Sequence, residues 1–138
     1  MSEKILIIDD EPDMHELLKV HLNKIDGVEI LSAYSAEEGV KKYKELYEKG
    51  EAPALVIMDL NLSGKEESIY DEMPEEMDGV VATREILRID PSAIIWGYTA
   101  WFGTKWAEKL KEAGVKRVVG RPLPFKDFAE MVEDFLRK

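Results

Sequence analysis

Five short apolar runs, separated by amphipathic stretches, constrain this chain more than any other feature. Ile5-Leu6-Ile7-Ile8, Val28 to Ala33, Ala54 to Met58, Ala93 to Tyr98 and Lys116 to Val119 are each the length of a strand. The first is apolar without alternation, as a strand covered on both faces requires. The stretches between and after them carry apolar residues at helical spacing. Met14, Leu17, Leu18, Leu22 and Ile25 form one such set, and Val40, Tyr43, Leu46 and Tyr47 a second. Residues 79–89 and 104–113 read as two more helices. Phe125, Phe128, Ala129, Val132, Phe135 and Leu136 line the last. Pro12 suits a first helical turn, and Ser35 with Glu38 makes a capping box. Thr104 can cap its helix, whereas Gly27, Gly50, Gly114 and the Asp90-Pro91 pair mark helix ends. Strict alternation of strand and helix predicts an α/β fold: a doubly wound five-stranded parallel sheet with right-handed crossovers.

Length and composition narrow the function. The chain has 138 residues, the size of one domain spanning 1–138. It contains no cysteine, which excludes disulfides, thiolate metal sites and cysteine nucleophiles. Its formal net charge of -10 repels phosphate backbones and argues against a nucleic-acid partner. No apolar run reaches the length of a membrane span, and the start is too short and too charged for a signal peptide, so a cytoplasmic location away from membranes is expected. Between the third strand and the next helix lies a long acidic loop. Residues 65–78 hold seven acids, Glu66, Glu67, Asp71, Glu72, Glu75, Glu76 and Asp78, against one lysine.

The polar residues that matter sit at strand ends. Asp9 and Asp10 follow the first strand, Asp59 ends the third, Thr99 follows the fourth and Arg121 the fifth. In sheets of this kind ligands lie beyond the carboxyl ends of the strands, where strand order reverses. If that order is 2-1-3-4-5, Asp9, Asp10 and Asp59 converge. Three carboxylates together repel unless protonated or bridged by a cation, and an all-oxygen set suits magnesium, with manganese as an alternative. Asp59 could then attack phosphorus, while the Thr99 hydroxyl and the Arg121 cation hold phosphoryl oxygens. Taken singly, each signal also has a plainer reading, because an acidic pair after a strand often only caps a helix. The order of the whole set is what makes it specific.

These segments resemble those of response-regulator receiver domains in two-component signalling, with the single-domain chemotaxis regulators nearest in size. IIDDEP resembles the acidic-pair segment, VIMDLN the phosphoacceptor segment, and MPEEMDG the Met-Pro…Gly segment. YTA resembles the switch-hydroxyl segment and RPLPF the Lys-Pro segment. The resemblance implies a flavodoxin-like (βα)5 fold and a signalling role rather than an enzyme. Asp59 would accept a phosphoryl group from a histidine kinase or phosphotransfer protein. Asp9, Asp10, Asp59 and the backbone carbonyl of Asn61 would bind the magnesium. Thr99 would act as the switch hydroxyl, and the face of helix 4, strand 5 and helix 5 would bind an unknown downstream protein. Trp101, two residues past Thr99, would shield the phosphorylated aspartate and slow its hydrolysis about tenfold, or about 1.4 kcal/mol in barrier.

The chain departs from the family pattern at three places. Arg121 replaces the family lysine, exchanging a compact charge for a planar guanidinium. Val118 stands where an aromatic switch residue is common, leaving Trp96, Tyr98, Trp101 and Trp106 as candidates for its part. About a dozen extra residues, near 62–76, follow Asp59. Two other functions are set against the first. One is a pseudo-receiver that binds partners without being switched by phosphate. The other is a magnesium-dependent phosphatase on a related fold, which would place its nucleophile after the first strand, where this chain reads DDEP. His15 and His21, on the first helix, are expected at the surface or its boundary.

Overall fold

In a computed structural model of the chain, residues 3–59, 78–99, 105–120 and 124–137 are described. Among these described residues, ten elements alternate strand and helix. They are β1 (Glu3–Ile8), α1 (Pro12–Leu22), β2 (Val28–Ala33), α2 (Ala36–Glu48), β3 (Leu55–Met58), α3 (Asp78–Ile89), β4 (Ile95–Thr99), α4 (Lys105–Ala113), β5 (Arg117–Gly120) and α5 (Phe125–Leu136). All strand pairs are parallel, as the alternation predicts, and the order is β2-β1-β3-β4-β5, the one on which the three aspartates converge. Strand order therefore reverses between β1 and β3.

Alternate residues of each strand supply two separate cores. Leu6, Ile8, Val56, Met58 and Ile95 face α2, α3 and α4, and pack with Tyr43, Val80, Ile86 and Leu110. Ile5, Ile7, Leu55, Ile57, Trp96 and Tyr98 face α1 and α5, and pack with Leu18, Leu22, Phe128 and Val132. Two glycines bring helices close to the sheet. A Cβ at Gly39 would stand 2.5 Å from Ile8 Cδ1, and one at Gly97 2.6 Å from Leu110 Cδ2. Either substitution would force a neighbouring side chain to move.

Local signals place the helix starts. Ser35 Oγ accepts from the Glu38 amide at 3.1 Å, and Glu38 Oε1 accepts from the Tyr34 amide at 2.8 Å. This is the capping box with its return bond shifted one residue outward. α1 has no side-chain cap and begins on Pro12. It also ends at Leu22, earlier than the spacing to Ile25 implies, and Gly27 (φ 79°) makes the turn into β2. Helical spacing puts Leu17 and Tyr47 in the apolar stripes, yet both are exposed. Along the outer edge of β2, Lys42 Nζ donates to the Ser32 carbonyl. Among the described residues no helix is long and apolar enough to cross a membrane.

Asp90, read as a helix breaker, also has an interior role. Its Oδ1 accepts from the Ser92 amide at 2.9 Å, and its Oδ2 accepts from the Tyr43 hydroxyl at 2.7 Å. That bond ties α2 to the turn before β4. Burial, reinforced by Asp90, pushes the Tyr43 hydroxyl well above its ordinary value of 10.0. A raised folded-state pKa favours the neutral phenol. Its contribution is therefore complete below the unfolded-state value near 10 and is lost as pH rises above it. Tyr43→Phe is expected to cost about 1–3 kcal/mol near neutrality, by withdrawing a donor from a buried carboxylate. Urea melts should show the variant losing less further stability than the parent between neutral and alkaline pH. Parallel losses in both proteins would refute the assignment.

Candidate functional site

The site is built where β1 and β3 meet. Ile8 pairs with Met58 in the parallel register, so the next residues, Asp9 and Asp59, leave the sheet side by side. The Asp59 amide donates to the Ile8 carbonyl at 3.0 Å, and the Asp9 amide donates to the Ala33 carbonyl at 3.1 Å. Both acids are thus held by the ends of neighbouring strands. Asp9 Oδ1 accepts from the Glu11 amide at 2.9 Å, which closes the turn into α1. Asp9 and Asp59 are buried (3% and 7% exposed), whereas Asp10 is half-buried. One carboxylate oxygen from each of Asp9, Asp10 and Asp59 lies within 4.8 Å of the others.

Three carboxylates this close, two of them buried, form an acidic all-oxygen cage suited to a hard divalent cation. Among the described residues the cluster offers a thiophilic metal no soft ligand. The donor set therefore fits magnesium. Thr99 ends β4 and is fully buried. Met58 pairs with Gly97, so carrying the register forward sets Asp59 beside Tyr98, with Thr99 one residue beyond. Thr99 itself pairs with Gly120, the residue before Arg121. Asn61, Trp101, Arg121 and the acidic insertion near 62–76 lie outside the described residues.

Two expectations are corrected. His15 is not a surface or boundary residue but fully buried, whereas His21 is half-buried as expected. His15 Nε2 lies 2.7 Å from the Asp9 carbonyl oxygen, and Nδ1 lies 2.9 Å from Ser32 Oγ. A carbonyl only accepts, so Nε2 carries the hydrogen, and in the neutral ring the Ser32 hydroxyl donates to Nδ1. Burial pushes the imidazole below its ordinary value of 6.5 and so favours this neutral form, against the opposing effect of the bond to the Asp9 carbonyl. The ring also packs on Tyr34 with centroids 4.3 Å apart. The overlooked signal was spacing: His15 lies three residues before Leu18 and seven before Leu22, on the buried stripe. The second correction concerns the aromatic switch. Trp96 and Tyr98 are core residues on the α1/α5 side, packed against Phe128, whereas Val118 packs on the opposite face. Both rings therefore lie on the opposite side of the sheet from position 118.

No family model matches the chain. The chemotaxis protein CheY of Thermotoga maritima is 33% identical over 123 residues, covering 88% of each chain. A LuxR-family two-component response regulator from Aurantimonas superposes with a TM-score of 0.77 at 26% identity, over 99% of this chain and 86% of that one. A CheX–CheY–BeF3–Mg2+ complex from Borrelia burgdorferi gives a TM-score of 0.76 at 22% identity, over 99% of this chain and 90% of that one, a likeness of fold. Identity at one residue in three over most of both chains, carried on the 2-1-3-4-5 sheet, shows that the chain belongs to the CheY-like receiver-domain family of two-component response regulators.

Proposed function

We propose that this receiver takes a phosphoryl group onto Asp59 from the phosphohistidine of a kinase or phosphotransfer protein. The reading is carried by one observation, the approach of Asp9, Asp10 and Asp59 to within 4.8 Å at the switch point of the sheet. A carboxylate oxygen of Asp59 attacks phosphorus; the new P–O bond forms as the P–N bond to the donor imidazole breaks, and the imidazole leaves with the bond's electron pair. Asp9 and Asp10, with Asp59 and the Asn61 carbonyl, would hold magnesium, or manganese in its place. When bound, the cation neutralises charge on the carboxylates and on the phosphoryl oxygens. Thr99 offers a hydroxyl to a phosphoryl oxygen and Arg121 a cation to another. The occupied site then alters the face of α4, β5 and α5, where a downstream protein binds. The chain acts as a signalling module, not as an enzyme that turns over a substrate. The magnesium in the Borrelia CheY complex supports the metal assignment by analogy of fold.

Two measurements test this. Magnesium that binds the folded state alone stabilises it by about 1.4 kcal/mol at tenfold over its Kd, or roughly 4 °C in melting temperature. A melting temperature indifferent to magnesium contradicts the metal site. Intact-mass measurement after incubation with a small-molecule phosphodonor and magnesium should show one added phosphoryl group in the parent and none in Asp59→Asn. A gain that persists in the variant places the acceptor elsewhere.

A further inference from the structure

A chain of hydrogen bonds runs from the outer edge of the sheet to the acidic cluster. At the edge, Lys42 donates to the Ser32 carbonyl and the Ser32 hydroxyl meets His15 Nδ1. At the inner end, His15 Nε2 donates to the Asp9 carbonyl at 2.7 Å. That carbonyl belongs to the peptide joining Asp9 to Asp10. The unit is planar and rigid, so its tilt sets the direction in which both side chains leave the backbone. Elsewhere the turn is held by the Asp9 amide on Ala33 and by the Glu11 amide on Asp9 Oδ1. His15 acts on the peptide between the two acids. The ring has little freedom to deviate, being fully buried, packed on Tyr34 and bonded at both nitrogens.

We propose that His15 is a positioning residue for the metal site, fixing the Asp9–Asp10 peptide so that both carboxylates are aimed at the cation before it arrives. This rests on the reading of Asp9, Asp10 and Asp59 as that site. Groups that orient metal ligands from behind typically contribute ten- to a hundredfold in affinity. Ser32, bonded to the far nitrogen, keeps the hydrogen on Nε2, where the carbonyl needs it.

The test compares magnesium affinity, by calorimetric titration of the whole chain with the metal alone, near pH 8. His15→Phe keeps the ring volume and the contact with Tyr34 but cannot donate. It is expected to weaken magnesium about tenfold. His15→Gln presents an amide N–H from the same helix position and is expected to stay within about threefold of the parent. Melting in chelator reports packing separately. A purely structural histidine would lower the melting temperature in His15→Phe while leaving magnesium affinity unchanged, and that result overturns the proposal. Should His15→Phe fail to fold, Ser32→Ala retains the imidazole and releases its far nitrogen. A loss of about threefold is then expected, and unchanged affinity again overturns the proposal. The underlying site is read independently by the parent and Asp9→Asn. If the parent binds no magnesium, both readings fall. If the parent binds it, Asp9→Asn does not, and His15→Phe matches the parent, only the role of His15 falls.

Discussion

Asp59→Asn should end phosphoryl uptake and, in chelator, make the protein harder to melt. The two effects have one origin. The carboxylates of Asp9, Asp10 and Asp59 approach within 4.8 Å, and Asp9 and Asp59 are almost wholly buried. Without a cation their like charges are held together by the rest of the fold. At an effective dielectric near 20, a pair of unit charges at this spacing repels by roughly 3 kcal/mol, before screening by solvent at the half-buried Asp10 and by neighbouring groups. Removing one charge while keeping the side-chain shape should return about 1–2 kcal/mol of that. The melting temperature in chelator rises by several degrees on the scale expected for a chain of this size. The magnesium-induced rise shrinks in the same variant, because a ligand and a charge have both gone. Equal melting temperatures for parent and variant in chelator would show that the three acids do not repel, and would remove the electrostatic basis for a divalent cation here.

Phe128→Ala is expected to cost about 4 kcal/mol, near the middle of the range for removing a large buried aromatic. Phe128 is fully buried in the core between the sheet and α1/α5. Its ring stacks on Tyr98 with centroids 4.4 Å apart and planes 7° from parallel, and meets Trp96 edge-on at 6.3 Å. Such pairs contribute beyond the area they bury. The gap left by alanine is walled by two rigid rings, which collapse poorly into it. A fall of roughly 12 °C in melting temperature is expected, with a lower urea midpoint. The acidic cluster stands at the end of the sheet, outside this core, so the increment from magnesium should survive. A loss below about 1 kcal/mol would show that α5 is not anchored through Phe128.

The sequence disclosed the frame more fully than the connections within it. Parallel pairing and helix count were readable because burial on two faces writes itself as uninterrupted apolar runs, whereas strand order leaves no such local trace. Asp9, Asp10 and Asp59 were readable because each follows such a run directly. His15 was misjudged because a single polar residue on an amphipathic helix is ordinarily solvated. Its burial depends on Ser32, seventeen positions later, and a local pattern carries no trace of that partner. Asp90 was legible as a helix stop but not as the acceptor for Tyr43, for the same reason of separation along the chain. Leu17 and Tyr47 mislead in the other direction. Both satisfy helical spacing closely enough to join a stripe, yet each sits just outside the arc that the sheet covers. Trp96 and Tyr98 show how strand parity decides a role: one step along β4 exchanges one core for the other.

The contact between Lys42 and the Ser32 carbonyl has a consequence for the protein in crowded solution. β2 is an edge strand, and every second peptide along it turns outward. The Ala33 carbonyl points inward to the Asp9 amide, so that of Ser32 points out. An unguarded row of such groups invites a strand from another molecule to extend the sheet. Lys42 occupies one of those acceptors with a cation. Any incoming strand must displace an ammonium group and bury charge. The chain thus sets carboxylates at one end of its sheet and an ammonium group along the β2 side.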